Sequence, residues 1–233
     1  MPVYRLIDEI VFPPADHAEP DGLLAVGGDL SCERLLLAYK LGIFPWYNDE
    51  QPILWWSPDP RLILEPEEFR VARRLGQTIK KGIFQVTFDR AFPKVIEACA
   101  RTLRKGQEGT WITREMQQAY TRLHQMGFAH SAESWSEGEL VGGIYGVSLG
   151  KAFFGESMFF SKTDASKVAL AFLIERLKKW GFHMLDAQVT TRHLESLGAK
   201  EIPRKLFLKK LENALRFPTI KGNWGMKTAR PLP

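Results

Sequence analysis

Three polar side chains interrupt stretches of the sequence that otherwise have the apolar character of buried strands. Asp186 and Gln188 stand two residues apart in the run over 182–189, and Glu156 lies within the run over 153–160. Side chains two apart on a strand share a face, so we expect the three to converge on neighbouring strands. A buried carboxylate is costly unless it is paired or hydrogen-bonded. Two such carboxylates in an apolar sheet therefore indicate a functional site. The alternative is that Arg, Lys or backbone amides satisfy both carboxylates structurally.

A second chemical signal comes from tryptophans in turn-like positions, at Trp46, Trp55, Trp56 and Trp111. Indole rings in such places can stack on nucleobases without regard to base identity. Packing into the core is the competing interpretation for most of them.

A third signal is a basic segment that contains five cations and no acid. A density of cations of this kind suits contacts to phosphates, although a solvated basic helix has the same composition. The five residues are Arg70, Arg73, Arg74, Lys80 and Lys81.

Charge is distributed unevenly over the 233 residues, whose formal net charge is +5. Residues 1–69 hold four basic and thirteen acidic side chains, a net charge of −9, whereas the remainder carries +14. This asymmetry favours one face that binds a polyanion, with tRNA, DNA and anionic lipid all eligible. Two solvated faces of opposite sign are the alternative.

Several function classes lack their motifs in this sequence. There is no Walker loop, Gly-x-Ser-x-Gly elbow, His-Glu-x-x-His helix or Cys-x-x-Cys pair, so a P-loop NTPase, an α/β-hydrolase and a zinc enzyme are not favoured. Cys32 and Cys99 are too few for a disulfide framework, which favours a reducing compartment. The longest apolar run, over 140–150, is broken by glycines, and charges at the N-terminus argue against a secretory signal. We therefore expect a cytoplasmic protein that does not enter a membrane.

The elements that must position these side chains can be read from apolar spacing and capping residues. The region 130–159 reads as a three-stranded meander, and the strand over 182–189 should run parallel to that over 152–159, because a helix connects them. The glycines at 142, 143 and 146 lie within a strand, where they predict a bulge or a close backbone approach. The expected helices are 32–41, 91–103, 113–126, 165–180 and 204–215, with caps at Ser31, Thr113 and either Thr163 or Asp164.

These elements predict an α+β fold, a mixed sheet with helices packed on it, preceded by a small N-terminal domain. Residues 1–65 contain most of the prolines, which interrupt helices and strands and leave little room for long regular elements. We place the boundary between the N-terminal domain, 1–65, and the larger domain, 66–233, where longer elements begin.

A series of motifs between residues 22 and 199 resembles the leucyl/phenylalanyl-tRNA–protein transferase family. They occur in the family's order and are jointly very specific. The motifs are GLLAVGGDL at 22–30, GIFPWY at 42–47, WWSPDPR at 55–61, EGTWIT at 108–113, VGGIYG at 141–146, FGESMF at 154–159, DAQ at 186–188 and SLGA at 196–199.

The resemblance implies an enzyme that moves Leu or Phe, and less readily Met, from aminoacyl-tRNA to the α-amino group of proteins that begin with Arg or Lys. The product is an N-terminal degradation signal. The family's larger domain is similar to GNAT-type acyltransferases. The resemblance also implies that the enzyme is a monomer that uses no metal and no cofactor.

Matching positions imply the residue roles. Asp186 and Gln188 would orient the incoming amine and accept its proton, and Glu156 would hold the cationic N-terminal residue. Trp46 and Trp111 would flank the 3′-terminal adenosine.

The remaining roles concern the acyl group and the tRNA stem. The acyl pocket would draw on Ile144, Phe153, Met158 and Leu185, and Thr191 would make one polar contact near the site. Better-known members carry Met at the position of Ile144 and Asn at that of Thr191. We assign the segment from Arg70 to Lys81 to the acceptor stem of the tRNA mainly from its charge.

Two other functions compete with this one. A non-catalytic tRNA-binding module would use the tryptophans and the basic segment but not Asp186. An acetyl-CoA-dependent N-acetyltransferase would need a glycine-rich loop before the helix that starts at Ala165, where residues 160–164 contain an acid and no glycine.

Overall fold

The chain forms two β-sheets with helices around the larger one, in a computed structural model that describes residues 3–102 and 110–226. The smaller sheet has four short strands in the order β1-β2-β4-β3. These strands are β1 (Tyr4–Leu6), β2 (Leu23–Gly27), β3 (Phe44–Pro45) and β4 (Leu54–Trp56).

The larger sheet has seven strands in the order β11-β5-β10-β9-β8-β7-β6. Strands β9 and β10 are parallel, and the other neighbouring pairs are antiparallel. The strands are β5 (Arg61–Leu64), β6 (Gln85–Phe88), β7 (Ala129–Ser136), β8 (Glu139–Leu149), β9 (Ala152–Phe160), β10 (Met184–Gln188) and β11 (Lys200–Ile202).

Seven α-helices accompany the sheets in the described ranges. They are α1 (Cys32–Lys40), α2 (Arg73–Lys80), α3 (Phe92–Arg101), α4 (Arg114–Gln125), α5 (Ala165–Lys179), α6 (Arg192–Ser196) and α7 (Arg204–Leu215). The predicted α+β fold, the meander β7-β8-β9, the crossover helix α5 and the parallel return strand β10 are all confirmed.

Glycines in β8 let other backbone segments approach the sheet closely. A Cβ on Gly142 would lie 2.6 Å from the Cβ of Ala165, the first residue of α5. A Cβ on Gly146 would lie 2.1 Å from the carbonyl oxygen of Phe154 on the adjacent strand. The expected close approach is confirmed, and it allows α5 to cover the sheet beside the site.

Two of the three predicted helix caps are present. The Ser31 and Thr113 hydroxyls accept hydrogen bonds from the backbone N–H groups of Arg34 and Met116, which satisfies one of the free donors at each helix start. The prediction for α5 needs correction. Asp164 occupies the capping position with φ +66°, and its carboxylate accepts from Lys167 rather than capping the helix.

The first 60 residues are more regular than their proline content suggested, because they form the small sheet. They also share a core with the later part of the chain. Tyr39 of α1 packs on Phe154 of β9, with ring centroids 4.9 Å apart. Strand β5 lies between β10 and β11, inside the larger sheet. The domain boundary after residue 65 stays a prediction.

Candidate active site

The site forms where two parallel strands separate. The pairing of β9 with β10 ends at Phe154 and Asp186. Just beyond, the register between β8 and β9 shifts, leaving Glu156 without a paired residue, and Gln188 adopts a φ of +59°. Bulges re-aim side chains and interrupt pairing, so both strands are distorted at the same level and a cavity opens between them.

This cavity has a volume of about 360 Å³ and three kinds of wall. Aromatic side chains from the segments before β4 and before α4 form one wall, apolar side chains from β8, β9, β10, α5 and α6 form the second, and polar groups form the third. The lining includes Phe44, Trp46, Trp111, Ile144, Glu156, Met158, Leu170, Leu185, Gln188, Thr191 and Leu194.

Glu156 is the centre of the polar wall. Its carboxylate accepts hydrogen bonds from the hydroxyls of Tyr39 at 2.8 Å and Tyr120 at 3.2 Å, and from Nε2 of Gln188 at 3.3 Å. Burial raises the pKa of Glu156 to about 7, although the two tyrosine hydroxyls oppose that shift. The side chain can therefore exist in either protonation state near neutrality.

Tyr39 and Tyr120 are site residues that the sequence analysis missed. Both rings are fully buried, and their hydroxyls also contact each other. Burial and the nearby Glu156 charge raise both tyrosine pKa values well above the ordinary range. The available signal was a tyrosine on the apolar face of α1, because a buried phenol usually requires a hydrogen-bonding partner.

Asp186 is held by a buried ion pair. Arg61 of β5 donates from Nε at 2.9 Å and from Nη2 at 2.7 Å to the two carboxylate oxygens, and both side chains are fully buried. The guanidinium lies over the rings of Phe44 and Phe207. The carboxylate also accepts from the backbone N–H of Gln188 at 3.0 Å. Asp186 does not itself line the cavity, because its side chain is buried outside it. Its contact with the cavity is indirect, through the lining residue Gln188.

The structure brings together most, but not all, of the predicted site residues. Of the predicted apolar pocket, Ile144, Met158 and Leu185 line the cavity, whereas Phe153 is fully buried outside the lining. Leu170 and Leu194 line the cavity and were not predicted. They come from helices α5 and α6, whose contribution to this cavity cannot be read from strand alternation.

The aromatic wall contains Trp46 and Trp111, the two tryptophans assigned to the terminal adenosine. Trp46 is fixed from behind by Trp56, which donates from its indole nitrogen to the Trp46 carbonyl at 2.7 Å. Trp55 is fully buried and belongs to the core. Thr191 also lines the cavity, with its hydroxyl capping α6 by accepting from Leu194 N at 3.3 Å.

The basic segment forms a separate exposed surface on and around α2. Arg70, Arg73, Arg74, Lys80 and Lys81 are all exposed and lie outside the cavity lining. Thr78 of α2 lies 3.4 Å from Asp164 at the start of α5, which places this surface beside that helix.

One family motif lies partly outside the residues that the structure describes. Glu108 and Gly109, the first two residues of one family motif, lie outside the described residues. Within 3–102 and 110–226, no group of three or more His, Cys, Asp or Glu residues could hold a metal ion. None of the described helices is both long enough and apolar enough to span a membrane.

Comparison with known sequences identifies the family. The family profile described as "Leucyl/phenylalanyl-tRNA protein transferase" matches residues 63–212, and the profile of that family's N-terminal domain matches residues 28–59. A leucyl/phenylalanyl-tRNA–protein transferase of Anaeromyxobacter sp. (strain Fw109-5) is 58% identical over 226 residues, which cover 97% of this chain and 96% of the relative.

Other matches were found among sequences and among solved structures. A Syntrophobacter fumaroxidans protein of the same name is 61% identical over 208 residues, 89% of each chain. A solved GCN5-related N-acetyltransferase from Kribbella flavida matches with a TM-score of 0.38 at 10% identity, covering 72% of this chain and 59% of that one. From the profiles and the sequence relatives, the chain belongs to the leucyl/phenylalanyl-tRNA–protein transferase family.

Proposed function

We propose that this enzyme transfers Leu or Phe, and less readily Met, from aminoacyl-tRNA to the α-amino group of proteins whose first residue is Arg or Lys. The observation that carries this proposal is one cavity in which an aromatic wall, an apolar wall and the Glu156–Gln188 pair meet. A transferase needs these three features to bring a nucleoside, an apolar acyl group and a basic peptide end together.

The donor would occupy the aromatic and apolar walls. The terminal adenosine lies between Trp46 and Trp111, and its acyl side chain enters among Ile144, Met158 and Leu185. Placing the reacting ester in a fixed orientation supplies much of the rate when the ester is already activated. No metal or cofactor is needed, because the aminoacyl ester carries its own leaving group.

The acceptor would approach from the polar wall. Its neutral α-amino nitrogen attacks the ester carbonyl, an amide bond forms, and the bond to the ribose oxygen breaks to release the tRNA hydroxyl. The attacking amine loses one proton and the leaving oxygen gains one. Ionised Glu156 attracts the cationic first side chain, and the side-chain amide of Gln188 orients the amine.

Asp186 would act as a positioning residue in this scheme. Its carboxylate fixes the backbone N–H of Gln188, which has an uncommon positive φ. The hydrogen bonds from Arg61 keep that carboxylate in place. The proton that the amine loses passes to the leaving ribose oxygen, which balances the step.

The exposed cations on and around α2 would bind the acceptor stem of the tRNA. We also propose that the enzyme works as a monomer in the cytoplasm, where aminoacyl-tRNA is available, and that its product is an N-terminal degradation signal.

The test is transfer of labelled phenylalanine from Phe-tRNA to two peptides that differ only in Arg or Ala at the first position, with no other cofactor. We expect label only in the Arg peptide. Gln188→Ala should abolish most transfer while tRNA binding is retained, and Gln125→Ala, at the exposed end of α4, should leave both unchanged. Binding without transfer in the unaltered protein would instead identify a tRNA-binding module, and equal label in both peptides would refute the role of Glu156.

A further inference from the structure

Glu156 lines the cavity without a cationic partner. Within the described residues, all the hydrogen bonds that its carboxylate accepts come from neutral groups, the hydroxyls of Tyr39 and Tyr120 and the side-chain amide of Gln188. Asp186, by contrast, forms a buried ion pair with Arg61. A buried carboxylate that lacks a cation is costly in its ionised form, so the surroundings of Glu156 are suited to a cation that comes from outside the protein.

The hydrogen bonds to Glu156 leave one acceptor position open. Oε1 accepts from the Tyr39 hydroxyl and from Nε2 of Gln188, whereas Oε2 accepts only from the Tyr120 hydroxyl. A carboxylate has about four lone-pair sites, two on each oxygen. One site on Oε2 therefore remains for a donor that enters the cavity, such as a guanidinium or ammonium group.

The two tyrosines also determine how readily this carboxylate ionises. Burial raises the pKa of Glu156, and the charge of Asp186 raises it further. The hydrogen bonds from Tyr39 and Tyr120 lower it, as does the charge of Arg61. Both hydrogen bonds of the Arg61 ion pair go to Asp186, so the tyrosine hydroxyls are the groups that stabilise ionised Glu156 by direct contact. Both hydroxyls stay protonated, because burial raises their own pKa values well above the ordinary range.

We propose that Tyr39 and Tyr120 are positioning residues that set the selectivity of the enzyme for a basic first residue. Their hydroxyls hold Glu156 as a carboxylate with one acceptor site left for the guanidinium or ammonium group of the acceptor protein. An uncharged first side chain leaves that site unused, and a proton competes for the carboxylate instead. This inference rests on the proposed function, because it assigns Glu156 to the first residue of the acceptor.

The test is transfer of labelled phenylalanine from Phe-tRNA to two peptides that compete in one reaction. One peptide begins with Arg and the other with citrulline, an uncharged isostere of Arg. The product ratio gives the ratio of the two kcat/KM values, and ionisation of the α-amino group affects both acceptors alike. Because the pKa of Glu156 is about 7, we expect the ratio of Arg product to citrulline product to rise about tenfold between pH 6 and pH 8.5.

Tyr39→Phe and Tyr120→Phe each remove one donor to the carboxylate. Each variant keeps the ring, which packs on Phe154 in the first case and on Tyr145 in the second. Loss of one hydrogen bond to the ionised form should raise the pKa of Glu156 by about one unit. The ratio should then be about fivefold lower than in the unaltered protein at pH 7 and close to it at pH 8.5. A merely structural effect would not be rescued by raising the pH.

Three controls accompany these variants. Glu156→Gln removes the charge, so its ratio should be low and the same at every pH. Tyr4→Phe removes a hydroxyl of β1 that hydrogen-bonds to Nδ1 of His17, and its ratio should follow that of the unaltered protein. A 5-guanidinopentanoyl peptide carries the guanidinium group without the α-amine. It should inhibit transfer with a Ki about tenfold lower at pH 8.5 than at pH 6, however poorly the citrulline peptide reacts.

Each contrary result has a distinct meaning. Absence of transfer from Phe-tRNA to the Arg peptide would refute the proposed function. A product ratio and a Ki that do not change with pH in the unaltered protein would overturn the present inference while transfer itself stands. A pH-dependent ratio that Tyr39→Phe and Tyr120→Phe leave unchanged, or lower equally at pH 7 and pH 8.5, would show that the hydroxyls do not set the selectivity.

Discussion

The surroundings of Glu156 stabilise its ionised form poorly. Its hydrogen-bonding partners are two tyrosine hydroxyls and a glutamine amide, which stabilise a carboxylate less than a cation would. The nearby Asp186 charge also opposes ionisation, while Arg61 favours it. Ionised Glu156 is therefore costly until a cation arrives, as the positive first residue of an acceptor would.

This arrangement predicts how stability depends on pH. The pKa of Glu156 is about 7 in the folded protein, against an ordinary value of 4.5. The folded state thus binds more protons than the unfolded state between these values, and stability falls as pH rises from 4.5 through 7. Glu156→Gln, which mimics the protonated acid, should be more stable than the unaltered protein at pH 8 by up to about 3 kcal/mol.

Urea unfolding at pH 5 and pH 8 measures this difference. The two proteins should be close in stability at pH 5, where Glu156 is protonated in the folded state. Glu97→Gln, at an exposed carboxylate of α3 that pairs with Arg101, should lack the pH-dependent gain. A Glu156→Gln advantage that is equal at both pH values would contradict the raised pKa.

The ion pair between Asp186 and Arg61 should contribute strongly to stability. Because both are fully buried, loss of one partner leaves an unpaired charge, which costs about 3–5 kcal/mol. Arg61→Met and Asp186→Asn should each lower the free energy of unfolding by an amount of this order. The double variant should recover part of the loss, since Met can pack between Phe44 and Phe207. Additive losses in the double variant would show that the two residues do not act as a pair.

The polar residues of the site were predictable from sequence, but their partners were not. Asp186, Gln188 and Glu156 were identified because a buried polar side chain in an apolar strand costs free energy unless it is hydrogen-bonded or paired. The partner of Asp186 is Arg61, which is 125 residues away in the chain. Its sequence neighbours give no indication of this contact, because it depends on β5 lying beside β10.

At the level of elements, the predicted helices and the meander were found because their apolar periodicity is local. The separation of β9 from β10 was not predictable in the same way. Strict alternation places Glu156 and Met158 on one face, whereas the register shift beside Glu156 changes the alternation. As a result, Glu156 meets Tyr39 while Met158 packs with Ile144 and Leu170 in the second apolar cluster.

The exposed cations of α2 should determine how strongly tRNA binding depends on salt. If it binds the acceptor stem, Arg73→Gln combined with Arg74→Gln should weaken tRNA binding and lower the slope of log affinity against log salt by about 1–2. Binding measured at several salt concentrations gives this slope. Lys205→Gln with Lys209→Gln removes two exposed charges from α7 and should leave the slope unchanged. An equal effect of both pairs would indicate attraction by overall charge alone.

For the whole molecule, the sequence predicted two successive parts and the structure shows how closely they are joined. Tyr39 from α1 and Tyr120 from α4 bind the same carboxylate on β9. Arg61, within the predicted N-terminal domain, lies on a strand of the large sheet. The positions of proline and glycine along the sequence cannot reveal these contacts, because the contacts form only when distant segments pack together.

The C-terminal segment after α7 makes a further long-range contact that the sequence analysis did not predict. Trp224 is fully buried, stacks on His130 with centroids 3.8 Å apart, and packs near Phe153 and Trp180. Its backbone N–H donates to Asp89 at 2.7 Å. The segment therefore closes one side of the core behind β9.

Removing this indole should destabilise the whole protein, not only the tail. Trp224→Ala leaves a large cavity, which typically costs about 3–5 kcal/mol, and for a chain of this size each kcal/mol lowers Tm by about 2–4 °C. Thermal unfolding should show a single transition shifted by about 10 °C. Met226→Ala, two residues further and 84% exposed, should not shift it. An unchanged Tm in Trp224→Ala would mean that the segment adds nothing to the core, and that Phe153 and His130 are held by the sheet alone.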